Sequence, residues 1–407
     1  ECLLLSPQIL IPMMWNRVFI AVFFFVLFSC KKDQKERGYQ SDLPNFGNIN
    51  IDKVFSKSDN YLHNKDSIKQ KLIGYYRKNW EKGDLWGGFL VAKGDNILFE
   101  RYQGFTDESQ QKPINENTPI HIASVSKPFT AMAVLKLVEA GKLQLNQRII
   151  DIFPKFPYPK ITIKNLLSHR SGLPKYEYFV EEIRPKPIEL NKDFLTNQDV
   201  LDLLEKYHPD LASPPDTRFM YCNTNYAILA LVVEKITNKP FPEAMQEMIF
   251  RPLKMKNTFI FEKKYLHTAS KSFYQTEKEY PLNNLDLIYG DKNVYTTPRD
   301  LLKFSKAMFS VKFLGKAIKN QVFMPYSNEK GGVNNYGLGF RMKIFENGKK
   351  LTYHNGWWHG NNAVFVHLEN SKITIIALGN KFSNRVYSAT ALSSLFEDFP
   401  YKIEEEK

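Results

Sequence analysis

Cysteine is nearly absent, three among 407 residues. A disulfide framework is thereby excluded, and stability must come from packing. Long apolar runs are scarce too. The longest, Val18–Phe28, has eleven residues, whereas a membrane-spanning helix needs about twenty. Metal-ligand patterns are missing: the eight histidines include no HExxH, and His354 and His359 lie five apart across a Gly-Trp-Trp turn, which is not a ligand spacing. No glycine-rich phosphate loop occurs, since Gly337-Leu338-Gly339 is a bare GxG in a strand-like stretch. No serine sits in a GxSxG elbow, which argues against an α/β-hydrolase. No repeat or low-complexity block is found. Neither a metal nor a cofactor is implied.

What is present reads as a globular chain. Hydrophobic residues make up 43% and charged residues 24%, enough apolar material for a sizeable core. The formal net charge is +13, which raises the question of an anionic partner: nucleic acid, membrane or cell-wall polymer. The apolar run is preceded by Arg17 and followed by Ser29-Cys30-Lys31-Lys32, the marks of a secretory signal. Leu27-Phe28-Ser29-Cys30 resembles the lipobox of bacterial lipoproteins, which makes Cys30 a lipidation site. An ordinary signal whose break happens to precede a cysteine is the other reading. Residues 1–12 then lie upstream of a start at Met13 or Met14, Cys2 falls outside the product, and Cys222 is the one ordinary thiol. Export makes nucleic acid an unsuitable partner and turns the charge toward membrane headgroups or an acidic envelope polymer.

The expected organisation is a signal over 1–29, a lipidated cysteine and polar tether over 30–60, and one folded unit over 61–402. Helical spacing appears over Tyr61–Lys82. Strands follow at Gly87–Ala92 and Asn96–Tyr102, joined by the hairpin signal Lys93-Gly94-Asp95. Helices are expected at Ser124–Ala140, after the capping box Thr196-Asn197-Gln198-Asp199, at Thr224–Ile236 and at Pro298–Phe309. Strands return at Gly337–Ile344, Leu351–His354, Ala363–Leu368 and Ile373–Leu378, and a helix over Arg385–Phe396 closes the chain. Strands at both ends with helices between them predict an α+β fold. One antiparallel sheet is built from both chain ends and flanked by helices, with a mostly helical second lobe beside it.

Serine chemistry remains. An SxxK pattern sets a lysine amine one helical turn from a serine hydroxyl, where a neutral amine can take its proton. The pattern occurs four times, at Ser29, Ser109, Ser124 and Ser327. Only Ser124-Val125-Ser126-Lys127 opens an amphipathic helix, whose N-terminus stabilises negative charge, and Pro128 is tolerated in that first turn. YxN occurs twice. Tyr221-Cys222-Asn223 precedes a buried helix, whereas Tyr326-Ser327-Asn328 lies among polar residues. His354-Asn355-Gly356 ends a strand, and its glycine permits close approach of a substrate backbone.

With these three motifs the chain resembles the serine β-lactamase/penicillin-binding protein superfamily, in its class C-like branch of β-lactamases, D-alanyl-D-alanine carboxypeptidases, D-aminopeptidases and esterases. Further blocks carry the likeness over roughly residues 80–400: Leu166-Leu167-Ser168-His169-Arg170-Ser171-Gly172-Leu173-Pro174, Arg251-Pro252-Leu253-Lys254-Met255, Thr296-Thr297-Pro298-Arg299-Asp300-Leu301 and Tyr336-Gly337-Leu338-Gly339. The resemblance implies a β-lactamase/transpeptidase-like fold and a serine hydrolase acting through an acyl-enzyme. It makes Ser124 the nucleophile, Lys127 its proton acceptor and Tyr221 the shuttle to the leaving group; which of Lys127 and Tyr221 is the general base stays open. Asn223, His354, Asn355, Gly356 and Trp357 become substrate-binding residues, with the backbone N–H groups of Ser124 and Trp357 forming an oxyanion hole. His121, Ser126 and His169 are scaffold.

Three departures bear on the substrate. Where β-lactamases carry lysine in the third motif this chain has His354, so a permanent positive charge is expected to be missing. Asn355 replaces a hydroxyl residue, and Trp357 and Trp358 follow where small residues are common. Pro215-Asp216 also stands in place of Pro-Gly. The expectation is a carboxypeptidase- or esterase-like enzyme, rather than an efficient β-lactamase, acting on a small-molecule or peptide amide or ester. The alternative is a catalytically weak module that binds cell-wall peptides or serves as a scaffold. Oligomeric state is not legible.

Overall fold

The computed structural model describes Phe46 and residues 49–403, apart from Glu108 and Gln110. The expected signal and Cys30 lie outside the described residues. Helix α1 (Lys65–Tyr76) leads through one wider turn into β1 (Gly87–Lys93) and β2 (Asn96–Gln103). The helical section contributes α2 (Ser126–Glu139), α3 (Asn197–Tyr207), α4 (Asn223–Thr237) and α5 (Pro298–Phe309). The chain then returns as β3 (Asn334–Tyr336), β4 (Arg341–Ile344), β5 (Lys350–Trp358), β6 (Asn361–Leu368) and β7 (Ile373–Gly379).

These strands form one seven-stranded antiparallel sheet in the order β2-β1-β7-β6-β5-β4-β3. The two chain ends meet where Gly87 pairs with Gly379 and Lys93 with Ile373, as expected. Both faces of the sheet are covered. Leu90, Phe365, Ile376 and Leu378 face the large core shared with the helical lobe. Phe89, Val91, Val364, Val366 and Ile375, alternating with them, pack under α1 and the C-terminal segment. This double burial explains the nearly unbroken apolar sequence of β6 and β7. Within the lobe, α2 is buried from Ser126 through Leu137, and Phe129 stacks on Phe304 of α5 at 4.0 Å between ring centroids. Among the described residues no helix is long and apolar enough to cross a membrane.

Three segments differ from expectation, each for a local reason. The stretch read as a strand from Gly337 to Ile344 is interrupted by a turn, with Gly337 N–H bonded to Phe340 O at 2.8 Å. Gly339 there has φ +94°, and a Cβ would lie 2.3 Å from Ala131 Cβ on α2, so only glycine lets the turn seat against that helix. The closing helix is a 3₁₀ helix over Asn384–Leu395. Its buried Val386, Ala389 and Leu392 recur every third residue, the period a 3₁₀ helix needs to keep one face inward. Finally, chain assigned to the tether already packs from residue 49. Ile51 is buried in the main core, Ile49 N–H bonds Pro252 O at 3.1 Å, and Ser56 caps a short helix, Lys57–Asn60.

His121, His169, His354 and His367 are all buried, and burial holds each imidazole below its ordinary range, His121 and His367 down to about 3. In the unfolded chain each takes up a proton below about pH 6.5. The unfolded state therefore binds more protons in acid, and stability falls as pH drops through that value toward the folded-state pKa. We expect Tm to fall between pH 7 and pH 5, with each histidine contributing about 1 to 2 kcal/mol. His367→Gln should flatten the profile in calorimetry; a Tm unchanged over this range would refute the account.

Candidate active site

Ser124 lies in a single 3₁₀ turn, Ala123–Val125, immediately before α2. Ala123 is left-handed at φ +48°, a conformation costly to a residue with a Cβ. Three residues on, Lys127 is fully buried. Its Nζ donates to Ser124 Oγ at 3.0 Å, to Asn223 Oδ1 at 2.8 Å and to Asp291 O at 2.9 Å. The helical spacing puts amine and hydroxyl on one face, while Asn223 and Asp291 arrive from the start of α4 and from a distant loop.

Tyr221 stands over this group. Lys127 Nζ is 4.9 Å and Arg341 Cζ 4.6 Å from its ring centroid, so the guanidinium sets a positive charge against the ring. The Tyr221–Asn223 segment is held by His169, whose Nδ1 accepts the Cys222 N–H at 3.2 Å and lies 3.0 Å from the Asn225 amide. An accepting Nδ1 leaves the proton on Nε2, and burial, reinforced by Lys127, keeps the ring neutral. Cys222 is buried and its thiol pushed up to about 11 by that burial, so it packs as a small apolar group. The second YxN, Tyr326–Asn328, does not line the cavity; its Tyr326 carbonyl accepts from Arg170 at 2.8 Å.

Strand β5 forms the facing wall. Gly356 lies so near the nucleophile's turn that a Cβ would stand 2.3 Å from Ile122 O and 3.1 Å from Ala123 Cβ. Ser124, Tyr221, Asn223, Asn355, Gly356 and Trp357 all line one cavity of about 620 Å³. Trp357, 64% exposed, forms part of its rim. Beyond it the β5–β6 turn is clamped by buried Asp286, whose carboxylate accepts Trp358 Nε1 at 2.6 Å and His359 Nε2 at 2.9 Å. Burial alone would raise this carboxyl; the His359 bond and charge outweigh it and hold it below the usual range.

A serine, a buried lysine, a tyrosine and an asparagine converging beneath a strand edge can perform acyl transfer. The family model for Beta-lactamase matches residues 74–395. The chain belongs to this family. Among relatives, Penicillin-binding protein 4* of Bacillus subtilis is 29% identical over 81% of this chain and 76% of its own length. The Teichoic acid D-alanine hydrolase of Staphylococcus aureus is 28% identical over 81% and 78%. A penicillin binding protein from Bacillus halodurans superposes with a TM-score of 0.69 at 25% identity, over 83% of this chain and all of that one.

Against the expectations drawn from this family of hydrolases and penicillin-binding proteins, two corrections follow. His354 is fully buried and does not line the cavity. Its Nδ1 donates to Asn355 O at 2.8 Å, and its Nε2 faces the Tyr336 hydroxyl at 3.3 Å. Strand alternation turns Tyr353, Asn355 and Trp357 toward the cavity and His354 behind it. The permanent positive charge expected to be missing is present as Arg341, brought in by β4 where it pairs with Tyr353. Its charge could not be placed without the strand register. Glu177 was also missed: it lines the cavity and accepts from Asn223 Nδ2. Nothing but proximity to the Ser171–Pro174 block marked it.

Gly356→Val tests the contact between β5 and the Ser124 turn. We expect a loss of about 1–3 kcal/mol in thermal unfolding and a larger loss of Ser124 reactivity toward a fluorophosphonate. A destabilised variant with wild-type reactivity would show that strand and turn are not coupled.

Proposed function

We propose that this chain is a serine hydrolase of the bacterial envelope that cleaves amides or esters through an acyl-enzyme. The observation that carries the reading is the 3.0 Å hydrogen bond from Lys127 Nζ to Ser124 Oγ, beside a cavity that also presents Tyr221 and Asn223. Ser124 Oγ attacks the substrate carbonyl carbon, and its proton passes to the Lys127 amine, the group that already touches it. The carbonyl oxygen gathers negative charge facing the backbone N–H groups of Ser124 and Trp357. As the tetrahedral species collapses, a proton reaches the leaving group through Tyr221, whose cationic neighbours suit a group that carries transient negative charge. Water then attacks the Ser124 ester, releases the acyl group and restores the serine.

Carboxypeptidase- or esterase-like chemistry is favoured over efficient β-lactam hydrolysis. Asn355 brings no hydroxyl to the strand edge, and Trp357 crowds the rim. The hydrolase named for teichoic acid D-alanine supports action on an aminoacyl substrate. Envelope location is read from the secretory pattern before Cys30, from the lipobox-like Leu27-Phe28-Ser29-Cys30, and from the basic charge, which suits membrane headgroups or an acidic polymer.

Ser124→Ala should abolish labelling by a fluorophosphonate. Lys127→Met and Tyr221→Phe should each slow it by about a hundredfold to ten-thousandfold. Parallel labelling by a fluorescent penicillin marks a penicillin-recognising enzyme, and labelling by the fluorophosphonate alone an esterase-like one. Absence of both would overturn the enzyme in favour of a binding module. For the anchor, Cys30→Ser should move the protein from the membrane to the soluble fraction of a bacterial host. Retention in the membrane would refute lipidation.

A further inference from the structure

In the proposed acyl transfer one oxyanion donor is the Trp357 N–H. That N–H belongs to the same peptide group as the Gly356 carbonyl, and a trans peptide points the two in opposite directions. The carbonyl end is held. Tyr387, from the closing 3₁₀ helix, lines the cavity and donates its hydroxyl proton to Gly356 O at 2.9 Å. Asn362 of β6, opposite Trp357 in the strand register, donates Nδ2 to the same hydroxyl at 2.9 Å. Asn362 is fully buried, and its Oδ1 accepts the Ser383 N–H at 2.9 Å, which fixes the end of the amide that faces the tyrosine. The hydroxyl therefore accepts from Asn362 and gives its single proton to Gly356 O. Burial raises the Tyr387 phenol above its ordinary range, so that proton is retained.

A peptide whose carbonyl accepts a hydrogen bond becomes a stronger donor at its N–H, because the bonded dipoles polarise one another. The same bond fixes the plane of the peptide. An oxyanion donor is effective when it is aimed before charge develops. Beyond Trp357 the β5–β6 turn is pinned by Asp286 through Trp358 and His359. The Gly356–Trp357 peptide is thus restrained from both flanks. We infer that Tyr387 is a positioning residue for catalysis: it orients and polarises the Gly356–Trp357 peptide so that the Trp357 N–H meets the developing oxyanion, and Asn362 orients Tyr387 in turn. The inference rests on the acyl-enzyme reading and adds to it a side chain that acts through the backbone.

The test compares Tyr387→Phe, which deletes only the hydroxyl, with Tyr75→Phe, both in the full chain. Tyr75 Oη lies 2.7 Å from Ser388 Oγ, so the control removes a bond to the same closing helix without touching the Gly356 peptide. Inactivation by an alkyl fluorophosphonate is resolved into KI and kinact. Phenylboronic acid, whose adduct with a serine is tetrahedral, reports affinity for the shape of the transition state. Losing an oxyanion donor outright costs about a hundredfold or more, so losing the support of one should cost about tenfold. Tyr387→Phe should lower kinact by about that factor with KI unchanged, and raise the phenylboronic acid Ki in parallel. Tyr75→Phe should leave all three at wild-type values. An unchanged kinact, an effect confined to KI, or a kinact that falls without a rise in the boronic acid Ki would overturn the inference and leave the hydrolase standing. So would an equal loss in Tyr75→Phe, or a Tyr387→Phe chain that no longer folds, since the hydroxyl would then serve the fold as a whole. A wild-type chain that takes neither reagent would overturn both readings.

Discussion

The buried amine of Lys127 organises the active site. Taking an amine out of water is costly unless protein groups replace the hydrogen bonds it made there. Lys127 finds three, Ser124 Oγ, Asn223 Oδ1 and Asp291 O. They come from the turn before its own helix, from the first residue of α4 and from a loop more than 160 residues downstream. Satisfying one amine thus brings together the elements an acyl-transfer site needs. Two imidazoles beside it add hydrogen bonds without charge. His169 and His354, both held neutral by burial, fix the Tyr221–Asn223 segment and the back of β5.

The second constraint is steric. The nucleophile's turn and the edge of β5 meet at a contact too close for a side chain, with left-handed Ala123 on one side and Gly356 on the other. The turn that continues β5 is pinned from outside by Asp286, through the Trp358 indole and the His359 imidazole. Asp286 and Asp291 belong to the same loop. One segment therefore supports both the lysine and the strand that faces it, coupling the helical lobe to the sheet through the chemistry itself.

Charge at the cavity is redistributed, not lost. The third motif carries a histidine that turns inward, and the neighbouring strand supplies Arg341 to the space the substrate enters. Glu177 adds a carboxylate whose Oε2 is buried without a hydrogen-bond partner.

By itself the sequence determined what depends on neighbours along the chain. Helical spacing set Lys127 against Ser124, a buried helix after Tyr221-Cys222-Asn223 marked the right copy of that motif, and alternating or continuous apolar runs announced the strands of both ends. It misread Gly337–Phe340, where contact with Ala131 imposes a turn on an apolar stretch, and the closing segment, where a three-residue repeat selects 3₁₀ over α. The sides of β5 and β4 were decided only by tertiary structure. A strand's inward and outward faces exchange with a one-residue change of register. Pairing between distant segments thus put His354 behind the site and Arg341 within it, and packing of the helix Tyr176–Glu182 beside Asn223 brought Glu177 there.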